Sequence, residues 1–203
     1  MKIRIMDRKD FTTTAWQGGE TTELFIWPKG AVLADRDFKF RISSAVFTGT
    51  RSSFSDFSGY QRFILPLQGT LKLTHEGLYQ RELAKNEAEY FDGSWSTLCE
   101  NSLDCRDYNF IVRSDSTALL QILNQGASFE CQGKTILTAY SVEPFTLDTE
   151  GDGKRSQSGD TLYVLETENG AKVTIAEATS PVILTVFNEP CNKKDGTDGP
   201  APL

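Results

Sequence analysis

The segment Phe38-Lys-Phe-Arg-Ile-Ser-Ser-Ala-Val-Phe47 leaves this chain few ways to fold. Its residues alternate with a period of two, as a strand does when one face is packed. Phe38, Phe40, Ile42, Ser44 and Val46 share one face, and Lys39, Arg41, Ser43, Ala45 and Phe47 share the other. Arg41 and Ser43 therefore point the same way from the middle of a strand. Close behind comes Phe54-Ser-Asp-Phe-Ser-Gly-Tyr-Gln-Arg-Phe63, a turn of Ser55, Asp56, Ser58 and Gly59 feeding a second strand that carries Arg62. Two such strands can frame a polar pocket inside a β-barrel, and binding there is the function they point to.

The rest of the chain keeps this rhythm. Residues 2–6 alternate as a first strand. Trp16-Gln-Gly-Gly-Glu-Thr-Thr-Glu23 reads as a glycine turn, and Glu23 to Trp27 as a strand that Pro28 and Gly30 close. Residues 49–53 read as a polar loop, 61–67 as a strand, and 69–74 and 78–83 as a hairpin around Glu76-Gly77. Residues 81–89 have helical propensity. Leu83 and Tyr90 alone make too thin an apolar stripe for a helix, so strand, turn at Lys85-Asn86-Glu87, and strand is expected instead. Residues 97–103 read as a loop, and 106–113 as a strand with Asp107, Asn109 and Ile111 on one face. For 117–123, a helix capped by Ser116 competes with a hairpin, which Asn124, Gly126 and Gly133 favour. Residues 149–160 read as a solvated loop, and Asn169-Gly170 signals a late hairpin. Short strands separated by turns about every 8–12 residues, with almost no helix, predict an all-β chain of two barrels end to end. The expected limits are 1–115 for the first, with the main pocket, 116–190 for a smaller second, and 191–203 for a disordered tail rich in Pro, Gly, Asp and Lys.

Composition removes several functions. A net charge of −7 lacks the basic footprint that phosphate backbones require, so nucleic acid and anionic membrane surfaces are not expected partners. The first residues show no apolar leader, and no run is long enough to span a bilayer, so a cytoplasmic location is expected. Cys99, Cys105, Cys131 and Cys191 form no CxxC pair and read as free thiols. Cys99 and Cys105 have no base beside them in sequence, which argues against a nucleophilic thiol. The single histidine, His75, reads as an exposed turn residue beside Glu76 and is too few for a histidine-carboxylate metal site. No metal and no other cofactor are expected.

Taken together, Trp16 to Glu23, Phe40-Arg-Ile-Ser-Ser-Ala45, Phe54 to Arg62, Gly69, Phe91-Asp-Gly93 and Asp107-Tyr-Asn-Phe110 resemble the HutD/Ves family in order and spacing over roughly residues 3–190. The pairing of FSxFxGxxR with a later DxN is the specific part. The resemblance implies a bicupin, two cupin-type barrels of the RmlC-like superfamily in one chain, with members tied to histidine utilisation or to stress. It implies a regulatory or sensing role and supplies no settled activity. This chain departs from the family pattern at Phe40, where Trp is common, and at Gln17-Gly18, where Asn-Gly or Asn-Ala often follows the tryptophan.

The candidate ligand-binding residues are Arg41, Ser43, Arg62, Asp107, Asn109 and Trp16, with no catalytic residue assigned. Two arginine forks match an anionic, carboxylate-bearing metabolite, with Ser43 and Asn109 as neutral partners. The competing account is structural: Arg41 or Arg62 pairs with Asp107 and locks the barrel. Both hold if one arginine is paired and the other free. A lone tryptophan is more often core than pocket wall, and Gly18-Gly19 and Ser55-Asp56 are explained by turn chemistry. Alternatives to a metabolite-binding protein are an isomerase or hydrolase using Asp107 as a general base and a protein-interaction module, with homodimerisation consistent with exposed sheet edges.

Overall fold

The computed structural model describes residues 1–189. The first part contains β1 (Lys2–Met6), β2 (Thr12–Trp16), β3 (Gly19–Trp27), β4 (Phe40–Phe47), β5 (Arg51–Ser53), β6 (Tyr60–Gln68), β7 (Leu71–His75), β8 (Tyr79–Leu83), β9 (Glu89–Asp92), β10 (Thr97–Asn101) and β11 (Arg106–Arg113). The second contains β12 (Thr117–Leu123), β13 (Ser128–Cys131), β14 (Thr135–Ser141), β15 (Phe145–Thr149), β16 (Gly153–Gln157), β17 (Thr161–Thr167), β18 (Ala171–Ala178) and β19 (Val182–Asn188). A 3-10 turn at Leu33–Asp35 is the only helical element among the described residues. The all-β expectation holds, and 117–123 is a strand. The expected tail, with Cys191, lies outside the described residues.

Four antiparallel sheets result. In the first half, β2-β3-β4-β11-β6-β9 faces β5-β10-β7-β8; in the second, β1-β17-β14-β19-β12 faces β13-β18-β15-β16. β1 therefore joins the second half, pairing along its whole length with β17 from Lys2↔Glu166 to Met6↔Leu162. Three stretches expected as loops contain strands: β5 in 49–53, β10 in 97–103 and β16 in 149–160. They are short and polar, so pairing rather than an apolar face defines them; β10, for example, is held between β5 and β7. The expected glycine turn over 16–23 is likewise mostly ladder, with Trp16↔Gly19 closing the β2–β3 hairpin.

The central strands of the six-stranded sheet are buried on both faces. Phe40 and Ile42 of β4, Leu65 and Leu67 of β6, and Tyr108, Phe110 and Val112 of β11 share one apolar cluster with Ile136, Tyr140, Leu162, Val164, Ile183 and Phe187 of the second half. The opposite face, with Arg41, Ser43, Arg62, Asp107 and Asn109, looks into the first half. The alternation read from 38–47 therefore describes the body of β4 but not its ends. Phe38 precedes the strand and packs with Phe57, Tyr60 and Ile111, while Val46 is exposed.

Phe40 is wholly buried, with its ring 4.7 Å from that of Phe187 and 5.5 Å from that of Phe25. Phe40→Ala is expected to cost about 3–5 kcal/mol. Because the cluster is shared by both halves, wild type and variant should unfold in a single transition when followed by denaturant titration. Separate transitions for the two halves would contradict a shared core.

Candidate binding site

A cavity of about 590 Å³ opens on the inner face of the six-stranded sheet. All six candidate residues line it: Arg41 and Ser43 from β4, Arg62 from β6, Asp107 and Asn109 from β11, and Trp16 from the β2–β3 hairpin. The register explains the convergence. Ile111 on β11 is opposite Arg41 on one side and Arg62 on the other. The two arginines thus occupy one row across the sheet, with Cα atoms roughly 10 Å apart at two strand spacings. Asn109 is opposite Ser43 in the same way.

Neither arginine forms a salt bridge with Asp107 among the described residues. Arg41 donates from Nε to Glu23 Oε2 at 2.7 Å and from a terminal nitrogen to Ser43 Oγ at 2.9 Å. Glu23 is a cavity residue that the sequence reading did not single out. A bulge between Glu23 and Phe25 shifts the β3–β4 register. It leaves Glu23 in the cavity while Leu24 and Phe25 both enter the apolar core. That departure from simple alternation concealed its role.

Arg62 is 4% exposed and makes no salt bridge among the described residues; its Nε has no hydrogen-bond partner. Its guanidinium carbon lies 4.4 Å from the ring centre of Phe54, 5.3 Å from Phe91 and 5.5 Å from Phe57. Aromatic faces offset part of the cost of a desolvated cation. Burial still dominates and brings the guanidinium down to about 10, against the opposing pull of Asp107. Two other cavity groups, Asn109 Oδ1 and Ser52 Oγ, are also buried without a hydrogen-bond partner.

Asp107 keeps the plain alternation of β11, sharing the cavity face with Asn109 and Ile111, and the irregularity beside it lies in β6, where Leu67 is the extra residue. The β11–β6 register shifts between Arg106 and Asp107, opposite Pro66, which has no amide hydrogen to offer the ladder. The Asp107 carbonyl accepts from Ser44 Oγ at 2.7 Å, and its carboxylate Oδ1 accepts from the Ala45 amide at 2.8 Å. Burial pushes the carboxyl up to about 7, with the Ala45 amide and then Arg62, Arg106 and Arg41 opposing. Cys99 and Cys105 are buried thiols pushed up to about 12, chiefly by desolvation, which keeps both protonated.

Trp16 is cavity wall rather than core. It is 39% exposed, donates from Nε1 to Thr21 Oγ1 at 3.1 Å, and meets Phe47 edge-on. Its ring lies over Gly18, where an added Cβ would come within 2.1 Å of the indole, so this glycine makes room for Trp16. Ser55 lines the cavity, whereas the Asp56 carboxylate accepts from the Ser58 amide and hydroxyl. His75 is not the exposed turn residue expected. It is 1% exposed, packs against Tyr79, Phe91 and Trp95, and shares a hydrogen bond from Nδ1 with Thr97 Oγ1 at 2.8 Å. The signal was present: His75 falls on the same strand face as Leu71 and Leu73.

A long-range likeness to solved structures places this architecture in the cupin-like class. HutD from Pseudomonas fluorescens SBW25, from a formate condition, is 24% identical and superposes with a TM-score of 0.75 over 92% of this chain and 98% of its own. A conserved protein of unknown function from Pseudomonas aeruginosa PAO1 is 25% identical, with a TM-score of 0.76 over 93% and 98%. The bacterial pirin YhhW from Escherichia coli, in complex with nickel(II), is 10% identical, with a TM-score of 0.62 over 93% and 100%. The HutD family model matches residues 8–183, and the chain belongs to the HutD family. No curated protein matches it. No helix of the described residues is long and apolar enough to cross a membrane.

The cavity does not present the donor set of a transition-metal cupin. Its carboxylates are Glu23, held by Arg41, and Asp107, and no imidazole lines it. Among the described residues, no three His, Cys, Asp or Glu side chains are grouped to hold a metal ion.

Two predictions follow from Asp107 and Gly18. The folded protein holds the Asp107 proton to higher pH than the unfolded chain does, so this contribution to stability is full in acid and is lost as pH rises through about 7. Asp107→Asn keeps an oxygen for the Ala45 amide, and its stability relative to wild type should rise between pH 5 and pH 8 in urea titrations. Parallel profiles would contradict the assignment. Gly18→Ala should displace the Trp16 ring and change its fluorescence; an unchanged spectrum would place the indole elsewhere.

Proposed function

We propose that this chain is a metal-free binding protein for a small carboxylate-bearing metabolite, built as two cupin-type barrels with the ligand pocket in the first. The one observation that carries this reading is Arg62. A guanidinium buried without a counter-ion costs several kcal/mol, and its natural complement is an anion that arrives from outside. A carboxylate seated there would accept from Arg62, with Asn109, Ser43 and Ser52 available for further hydrogen bonds. Arg41, already neutralised by Glu23, shapes the wall and fixes Ser43 rather than supplying free charge. Phe54, Phe57 and Trp16 give the cavity apolar surface for the body of a ligand much larger than the carboxylate itself.

Family membership suggests a role in sensing an acid derived from histidine, with urocanate and a formylated glutamate as representatives. The cytosol is the compartment this implies. Catalysis by Asp107 is the second reading, favoured by a buried carboxyl that titrates near neutrality.

Thermal-shift and calorimetric titration with formate, acetate, benzoate, urocanate and N-formylglutamate tests the proposal. At least one acid should stabilise the protein. Arg62→Gln should weaken that acid by about tenfold to a hundredfold, the worth of roughly 1.5–3 kcal/mol for a hydrogen bond to a charged group. No stabilisation by any acid at millimolar concentration, or equal binding by the variant, would refute it. Turnover of a bound acid, lost in Asp107→Asn, would favour the enzymatic reading.

A further inference from the structure

The charges around the cavity set a condition on what can enter it. Arg41 and Glu23 cancel each other. Arg62 and Asp107 remain, both buried and neither in a salt bridge among the described residues. With both ionised the cavity is neutral overall, and an incoming monoanion would leave one negative charge uncompensated in a desolvated site. With Asp107 protonated the cavity carries one positive charge, which a monoanion balances.

The hydrogen-bonding geometry fits the protonated form. Asp107 Oδ1 is occupied by the Ala45 amide, while Oδ2 accepts no hydrogen bond from the described residues. The residue lines the same cavity as Arg62, whose Nε is also unpartnered. A carboxylic acid hydroxyl on Oδ2 can donate to one oxygen of a ligand carboxylate while Arg62 donates to that same group. An O–H donor to a carboxylate is among the strong hydrogen bonds.

We propose that the cavity takes up a monocarboxylate together with one proton, drawn from solvent onto Oδ2 of Asp107, which makes Asp107 a specificity-determining donor for the anion. The inference rests on the anion-binding reading above.

The neighbouring groups leave Asp107 as the titrating centre. Facing it are Arg41 from β4, Arg62 from β6 and Arg106 beside it on β11, with Glu23 of β3 tied to Arg41. Arg106 is engaged by Ser44, Tyr140 and Asp160. The Cys99 and Cys105 thiols stay protonated. His75, packed against Phe91 outside the cavity lining, is held below the ordinary imidazole range by burial and remains neutral above pH 7. Burial places the Asp107 carboxyl near 7, inside the range where proton uptake is measurable.

Benzoate is the probe, because its own carboxyl stays ionised between pH 6 and pH 9. Calorimetric titration at pH 8 in Tris and in HEPES, whose protonation enthalpies differ, should report close to one proton taken up per benzoate bound. The Kd should rise about tenfold per pH unit above 7 and level off below it. Asp107→Asn should bind with no proton uptake and a flat pH profile. Binding to wild type without proton uptake, or the same uptake in the variant, would overturn the inference and leave the anion site standing. If the variant fails to fold, the buffer comparison on wild type decides the matter. No binding of benzoate at any pH, with no acid of the panel stabilising the protein, would remove the anion site and the inference together.

Discussion

The structure depends on three adjacent strands that have no solvent-facing side. β4, β11 and β6 press Phe40, Ile42, Leu65, Tyr108 and Phe110 against the second half of the molecule and turn Arg41, Ser43, Arg62, Asp107 and Asn109 into a cavity. Strict alternation makes these two demands inseparable. A one-residue slip would send the arginines into the shared core and the aromatics into the cavity. The packing that joins the two halves therefore also fixes the polar row of the site, and the aromatic pairs of Phe40 with Phe25 and Phe187 hold that register from behind.

Within the row, neighbouring charges have different fates because different strands supply their partners. β3 brings Glu23 to Arg41 through a bulge. β11 brings Asp107 to the Ala45 amide across the unshifted β4–β11 register. Among the described residues no carboxylate forms a salt bridge with Arg62, which lies against the rings of Phe54, Phe57 and Phe91. The result is a desolvated cation on an aromatic bed, facing a space large enough for a small organic molecule. This arrangement is poor as a barrel lock and well matched to an external anion, which is why the binding account outweighs the structural one for Arg62 but not for Arg41.

Much of this was legible in the sequence because period-two patterning is a direct consequence of strand geometry. It gave the all-β class, the inward direction of Arg41, Ser43, Arg62, Asp107 and Asn109, and the strand-turn-strand course of 79–92. Features that depend on pairing rather than on side-chain pattern were hidden. β5, β10 and β16 are short and polar, and they become strands only because a neighbour's backbone is there to pair with. The bulge that sends Glu23 to Arg41 breaks the alternation that any reading of the chain relies on. His75 is hidden for a different reason: it abuts the Glu76-Gly77 turn, which suggests exposure, yet it belongs to the buried Leu71-Leu73-His75 face of its strand. Whether each arginine is paired is a property of three-dimensional neighbours, and spacing alone left both outcomes open.

The central claim concerns the unneutralised guanidinium of Arg62, and crystallography of the protein grown with a small carboxylate tests it most directly. The account predicts a carboxylate within hydrogen-bonding distance of the Arg62 guanidinium, between the Phe54 ring and Asn109, with the Arg41–Glu23 pair intact. A carboxylate bound instead to Arg41 after displacing Glu23, or Arg62 closed off by Asp107 with no room for a guest, would contradict it.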